Sequence, residues 1–236
     1  WNAAFNQSVA NWDVSQGQYF NGMFRDAALF NQNLSTWNPA SALNTSYMFW
    51  NANAFTNKGA PMATTANTWN VGNVTNMVGM FFATKFNQNI SSWDTSKVTS
   101  FDSMFAYTPF NNGGASMAST PGHWSTASAE NIQQMFVSDT AFNQPIGTWD
   151  MSKVVYGYLA FFGATALDQD LSSWHLEQLY DGRGFFGNGV TLSAAHYDGL
   201  LNALSTQSLR SNIGFDAGSS KYTSAGAAAR DRKSVV

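Results

Sequence analysis

Three histidines, His123, His175 and His196, are the residues whose type most often serves as general base or metal ligand. None stands in a spacing that general-base or metal chemistry requires. No H-E-x-x-H occurs, no Ser-His-Asp grouping follows from spacing, and no glycine-rich phosphate loop follows a strand. The residues after seven of the tryptophans are Asp13, Asn38, Asn70, Asp94, Ser125, Asp150 and His175. A column of carboxylates there would suit calcium, which needs neighbouring oxygen anions. No two of these aspartates are adjacent in the series, so turn capping is the better account. Glycoside hydrolysis would need two carboxylates roughly 5–10 Å apart across a cleft, and no constellation predicts one. The chain has no cysteine, which removes disulfides and thiolate metal sites. The expectation is a protein that is not an enzyme, with no metal and no cofactor.

Binding chemistry is better represented. The tryptophans form a stripe that could stack on sugar faces. Their fixed phase against phenylalanines favours a role in the core instead. The position before each tryptophan is small and polar: Thr36, Thr68, Ser92, His123, Thr148 and Ser173. A row of small hydroxyls with little charge suits a flat polymer, a glycan or another protein. A second row, Gln7, Gln32, Asn57, Gln88, Asn112, Gln144 and Gln169, is all amide and reads as a structural ladder along a stack. Five N-x-S/T sequons, at Asn6, Asn33, Asn44, Asn73 and Asn89, are weak glycosylation candidates in so Asn-rich a chain.

These residues fall in register because the chain repeats. Trp12, Trp37, Trp69, Trp93, Trp124, Trp149 and Trp174 are each followed twelve residues later by Phe24, Phe49, Phe81, Phe105, Phe136, Phe161 and Phe186. Met precedes five of those phenylalanines, and Ala160 and Phe185 take its place in the last two. An apolar anchor (Phe5, Phe30, Phe86, Phe142, Leu167) stands seven residues before its tryptophan, but fourteen before it at Phe55 and Phe110. The unit is therefore 24 or 25 residues, and two copies carry a related seven-residue insertion around Met62 or Met117. Such periods mark solenoids, and insertions at one phase emerge on one face, often the binding face. Val98, Phe101 and Phe105, like Val74, Met77 and Phe81, have the i, i+3, i+7 spacing of a short helix. The expected unit is a strand, a turn, a short helix and a return, stacked at ~4.8 Å per repeat. One such unit cannot bury its Trp and Phe alone.

Charged residues make up 11% of the 236 and the formal net charge is -3, which argues against nucleic-acid binding. No run of about 18 apolar residues predicts a membrane span, so no direct membrane insertion is expected. The sequence begins inside a repeat, at Trp1 to Phe5. The expectation is a piece of a longer or processed protein, whose first repeat needs a cap or a neighbour. The repeat decays after Phe186. Tyr197, Leu200, Leu201 and Leu204 share a helix face, and a second helix is expected from Ser224. The expected division is a solenoid over 1–191 and a helical C-terminal cap over 192–236.

The units FNQNISSWDTSKVTSFDSMF (86–105) and FNQPIGTWDMSKV (142–154) resemble the BspA-like leucine-rich-repeat surface proteins, as does the tail with YDGLLNAL. The resemblance covers nearly the whole chain. It departs at Trp37-Asn38-Pro39, Trp124-Ser125 and Trp174-His175, which lack the D-x-S turn. It implies a right-handed, leucine-rich-repeat-like solenoid that is extracellular or on the cell surface. It carries over no catalytic residue and no common ligand. Two functions are expected from these observations. One is an adhesin-like interaction module that binds protein or glycan through the flat strand face and the insertion loops. The other is a building block of a filament, appendage or surface layer, with copies of itself as partners.

Overall fold

The computed structural model describes residues 3–62, 69–120, 122–211 and 213–233. Successive repeats lie directly on one another. Single parallel bridges join Tyr19 to Asn44, Asn44 to Asn76, Asn76 to Ser100, Ser100 to Asn131, Asn131 to Tyr156, and Tyr156 to Asp181.

The strand–turn–short-helix coil of a right-handed, leucine-rich-repeat-like solenoid does not form. Among the described residues no β-pairing extends beyond such isolated bridges, and the only α-helices lie near the C-terminus. The expected helix is a run of turns. In the first repeat the N–H groups of Phe20, Gly22, Phe24 and Asp26 donate to the carbonyls of Asn44, Ser46, Met48 and Trp50 in the next repeat. The alternating N–H groups of Met23 and Arg25, and of Ala27 just after them, close turns onto residues 20, 22 and 24. The same alternation recurs in the later repeats, for example from Phe101, Ser103, Phe105 and Tyr107 to residues 131, 133, 135 and 137.

Two left-handed residues per repeat enforce the alternation. One column is Gly22, Tyr47, Gly79, Ser103, Gln134, Leu159 and Gly184, two residues before the phenylalanine. The other is Asp26, Asn51, Ala83, Tyr107, Ser138, Gly163 and Asn188, two residues after it. A left-handed residue every four positions is incompatible with an α-helix and costs roughly 1–2 kcal/mol where the side chain is not glycine. The bonds to the neighbouring repeat hold it in place. Gly79, at φ 56°, shows what the column tolerates: an added Cβ would lie 2.5 Å from Cε3 of Trp50. Gly79→Ala is therefore expected to destabilise the fold by about 2–3 kcal/mol, read as a lower urea midpoint, combining left-handed strain with displacement of Trp50.

The core is an aromatic zipper. Phe24, Phe49, Phe81, Phe105, Phe136, Phe161 and Phe186 form one column with ring centroids 5.4–5.8 Å apart. The anchors form a second column, and Phe24, Phe49, Phe81, Phe105 and Phe136 of the first column each meet the anchor that follows in sequence face to face at 3.8–4.0 Å. Offset ring stacking of this kind adds to the area buried. Trp37, Trp69, Trp93, Trp124, Trp149 and Trp174 are fully buried beside them. Trp12, expected in the core with the others, is 50% exposed, because no earlier repeat covers it among the described residues.

The two insertions share a 3-10 turn, Asn57–Gly59 and Asn112–Gly114. After the second insertion and the seventh repeat, the chain forms helix α1, Ala194–Thr206, and helix α2, Ser224–Lys233, which pack together. Gln207, capping α1, donates to the Trp174 carbonyl at 2.6 Å and accepts from the Leu176 N–H at 2.8 Å. The turn after Trp174-His175 closes without the D-x-S aspartate, from the Leu179 N–H to the Leu176 carbonyl at 3.0 Å. Residues 214–216 then lie against the last repeat: Gly182 and Phe186 donate to Gly214 and Asp216, and Gly182 bridges Phe215. No described helix is long and apolar enough to cross a membrane.

Candidate functional site

The row of small polar residues is partly consumed by stacking. Thr36 Oγ1 donates to the Ala10 carbonyl at 3.2 Å, and Ser173 Oγ donates to the Gly147 carbonyl. Thr148 Oγ1 accepts from the Ser119 N–H at 2.8 Å. Ser92 is half-buried and His123 is exposed. Thr68 lies outside the described residues. Among the described residues no strand forms there, so the row is not the expected strand face.

Met62 and Met117, the residues at the centre of the two insertions, point into the core. Both are fully buried. Each occupies the core place that Val9, Leu34, Ile90 and Ile146 fill in other repeats. Tryptophan indole N–H groups show the equivalence: Trp37 donates to the Val9 carbonyl, Trp69 to Leu34 and Trp174 to Ile146. Trp93 and Trp149 donate instead to Met62 and Met117, at 2.5 and 2.8 Å. The insertion thus splits around its methionine, which returns to the core. Trp124 breaks the series: its indole N–H is buried without an acceptor among the described residues.

The amides run along the stack but pair with the residue before them. Gln32, Gln144 and Gln169 donate to Oδ1 of Asn6, Asn111 and Asn143 in the preceding repeat at 2.6–2.9 Å. Asn57 and Asn112 differ from the glutamines. They are fully buried, accept from the Leu34 and Ile90 N–H groups, and donate to the Ala60 and Ala115 carbonyls. The D-x-S turns close as expected, with Asp13, Asp94 and Asp150 accepting from Ser15, Ser96 and Ser152. The sequon asparagines use their Oδ1 atoms in the same way, as turn or ladder acceptors. Of the histidines, His196 Nδ1 lies 2.7 Å from Asp168 and His175 Nδ1 lies 3.2 Å from Glu177. No described group of three or more His, Asp or Glu side chains is placed to share a metal ion.

The turn ladder carries the chemistry that the repeat does not need. Tyr19, Tyr107, Tyr156 and Tyr180 are exposed along it. Trp50 and Phe82 stack at 3.6 Å over Gly79, and Arg25 lies 5.6 Å from the Tyr47 ring centroid and 5.8 Å from that of Trp50. At the other end, the ladder and the segment leading back from α1 enclose an open cleft of about 710 Å³. Tyr180, Asp181, Arg183, Arg210, Ser211, Ile213 and Gly214 line it. Arg183 grips Asp181 with two hydrogen bonds, from Nε at 2.9 Å and Nη2 at 2.8 Å, and those bonds hold the carboxyl below its usual range. The same guanidinium lies 5.3 Å from the Tyr158 ring centroid. Arg210 donates to Gln178 Oε1 at 3.1 Å. A smaller hollow of about 280 Å³, beside the second insertion, is lined by hydroxyls and Asp150. Sequence reasoning singled out none of the cleft residues. They lie where the repeat meets the tail, and no spacing links Arg183 to Arg210.

Residues 1–65, 57–120 and 110–198 each match the model of one family, described as "Mycoplasma protein of unknown function, DUF285". No curated protein matches the chain, and no solved structure does.

Proposed function

We propose that this chain, which belongs to the DUF285 family of Mycoplasma proteins of unknown function, is a non-catalytic interaction module that engages a protein or glycan outside the cell. The observation that carries this reading is the set of exposed tyrosines along the turn ladder, ending in the arginine-lined cleft. Tyrosine, tryptophan and arginine are the side chains that dominate interface energetics. The resemblance to BspA-like surface proteins supports the placement outside the cell.

One observation favours the second reading, a building block of a larger assembly. Trp12, Met23 and Leu29 are each exposed at the first repeat.

Both readings are tested by probing the purified chain against glycan and extracellular-protein arrays, with sedimentation alongside. Ligands are expected that are lost when Tyr19, Tyr107, Tyr156 and Tyr180 are changed to serine and retained when Thr36, Thr148 and Ser173 are changed to alanine. Silent arrays, with concentration-dependent polymers that Trp12→Ser disperses, would replace the first reading by the second. Ligands lost in the hydroxyl variant instead would return the site to the row before the tryptophans.

A further inference from the structure

We propose that the cleft at Tyr180, Asp181, Arg183 and Arg210 binds an acidic saccharide, a sugar carrying a carboxylate. The proposal rests on the interaction-module reading and names the ligand class of its best-formed site.

The charges come first. The lining residues hold two guanidiniums and one carboxylate. Asp181 is already committed to Arg183 through both oxygens. Among the described residues, the hydrogen-bond partner of Arg210 is neutral, the Gln178 amide. The cleft therefore carries one uncompensated positive charge, enough for one carboxylate. A polyphosphate backbone draws on many cations, and the chain as a whole is acidic.

The Asp181–Arg183 pair supplies the second feature. Its carboxylate keeps lone pairs that can accept, and its guanidinium keeps N–H groups that can donate, side by side in one plane. Vicinal hydroxyls need an acceptor and a donor at that spacing. The pair is fixed before any ligand arrives: the Arg183 N–H also donates to Asp181, and Gly214 lies so close that an added Cβ would sit 2.6 Å from Arg183 Cγ. Preorganisation of this kind lowers the cost of binding.

Tyr180 supplies the third, a ring 64% exposed at the cleft, suited to the apolar face of a sugar. Ile213 is the one aliphatic side chain among the lining residues, so a purely apolar ligand has little to gain. The volume lies within the roughly 300–1,000 Å³ of small-ligand sites.

The test is titration calorimetry on the whole chain at low ionic strength with trigalacturonate. A neutral galactose trimer, a sulfated trisaccharide and triglutamate serve as comparison probes. Wild type is expected to bind trigalacturonate about tenfold more tightly than the neutral trimer, the size of one charge-assisted contact. Arg210→Gln should abolish that preference, and Tyr180→Ala should weaken both sugars about three- to tenfold. Both residues are on the surface, so unchanged urea midpoints will separate lost binding from lost fold. Equal affinity for charged and neutral trimers, or tighter binding of the sulfated sugar or of triglutamate, overturns the carboxylate-sugar assignment. So does a response to neither variant, or no binding at all. If the arrays still give a ligand that depends on Tyr19, Tyr107 or Tyr156, the interaction module survives that failure.

Discussion

Trp93→Ala is expected to destabilise the fold by about 3–5 kcal/mol, while Trp12→Ala, the same change at the same phase, costs less than about 1 kcal/mol. Trp93 is fully buried in mid-stack, 5.8 Å from the Trp69 ring and 6.3 Å from that of Phe81. Its removal leaves a cavity between repeats that cannot slide together, because the backbone bonds on either side fix their separation. It also strips the Met62 carbonyl of its indole donor. Trp12 is half exposed, and removing it opens no enclosed space. Urea unfolding followed by near-ultraviolet circular dichroism separates the two outcomes. In a stack held by nearest-neighbour contacts, a mid-stack cavity also uncouples the two halves, so a broadened or biphasic transition is expected for Trp93→Ala alone. Similar losses at both tryptophans would mean that exposure does not set their energetic rank.

The contrast marks how far the sequence could be read. Period, phase, insertions and the buried partners of Phe24 through Phe186 follow from apolar spacing alone, because burial repeats wherever the backbone repeats. The backbone path does not follow from it. Val98, Phe101 and Phe105 point inward with helical spacing, yet Phe101, Ser103 and Phe105 each donate to the next repeat. Spacing reports which side chains are buried, not where the N–H groups between them go. A trace of the truth lay two residues past each phenylalanine, where Asp26, Asn51, Gly163 and Asn188 favour left-handed backbone. Tyr47, Gln134 and Leu159 hide the matching column, since nothing in their chemistry announces a positive φ. Met62 and Met117 misled for a related reason: an insertion seen as a loop was a detour that brings its methionine back to the core. The cleft was illegible because Arg183 and Arg210 meet only through the return of the tail onto the last repeat.

That repeat-by-repeat comparison isolates one residue whose chemistry contradicts its column. Three residues after the first six phenylalanines of the column stand Ala27, Ala52, Thr84, Thr108, Asp139 and Ala164, all buried. Thr84 and Thr108 satisfy their hydroxyls on the carbonyls of Phe81 and Phe105. Asp139 has no hydroxyl to donate unless it keeps its proton. Burial pushes its carboxyl up to about 8, and hydrogen bonds such as that from the Ala141 N–H offset this only in part; the Thr108 hydroxyl, whose one hydrogen goes to Phe105, lies 3.4 Å from Asp139 Oδ2. The unfolded chain releases that proton near the ordinary carboxylate value, about 3.9. Between about pH 4 and pH 8 the folded state therefore binds the extra proton, and stability falls as pH rises. The contribution is fully present below about pH 4 and lost above about pH 8, opposite in sign to that of Asp181, whose lowered value favours folding as pH rises. The loss across the window is expected to be on the order of 5 kcal/mol. Asp139→Thr places the hydroxyl of its neighbours in the column. It should raise stability at pH 8 by a few kcal/mol, leave it little changed at pH 4, and flatten the profile between. Thermal midpoints of the two proteins across that range decide it. Parallel profiles would show that the Asp139 carboxylate is accommodated in its charged form and that another group sets the slope.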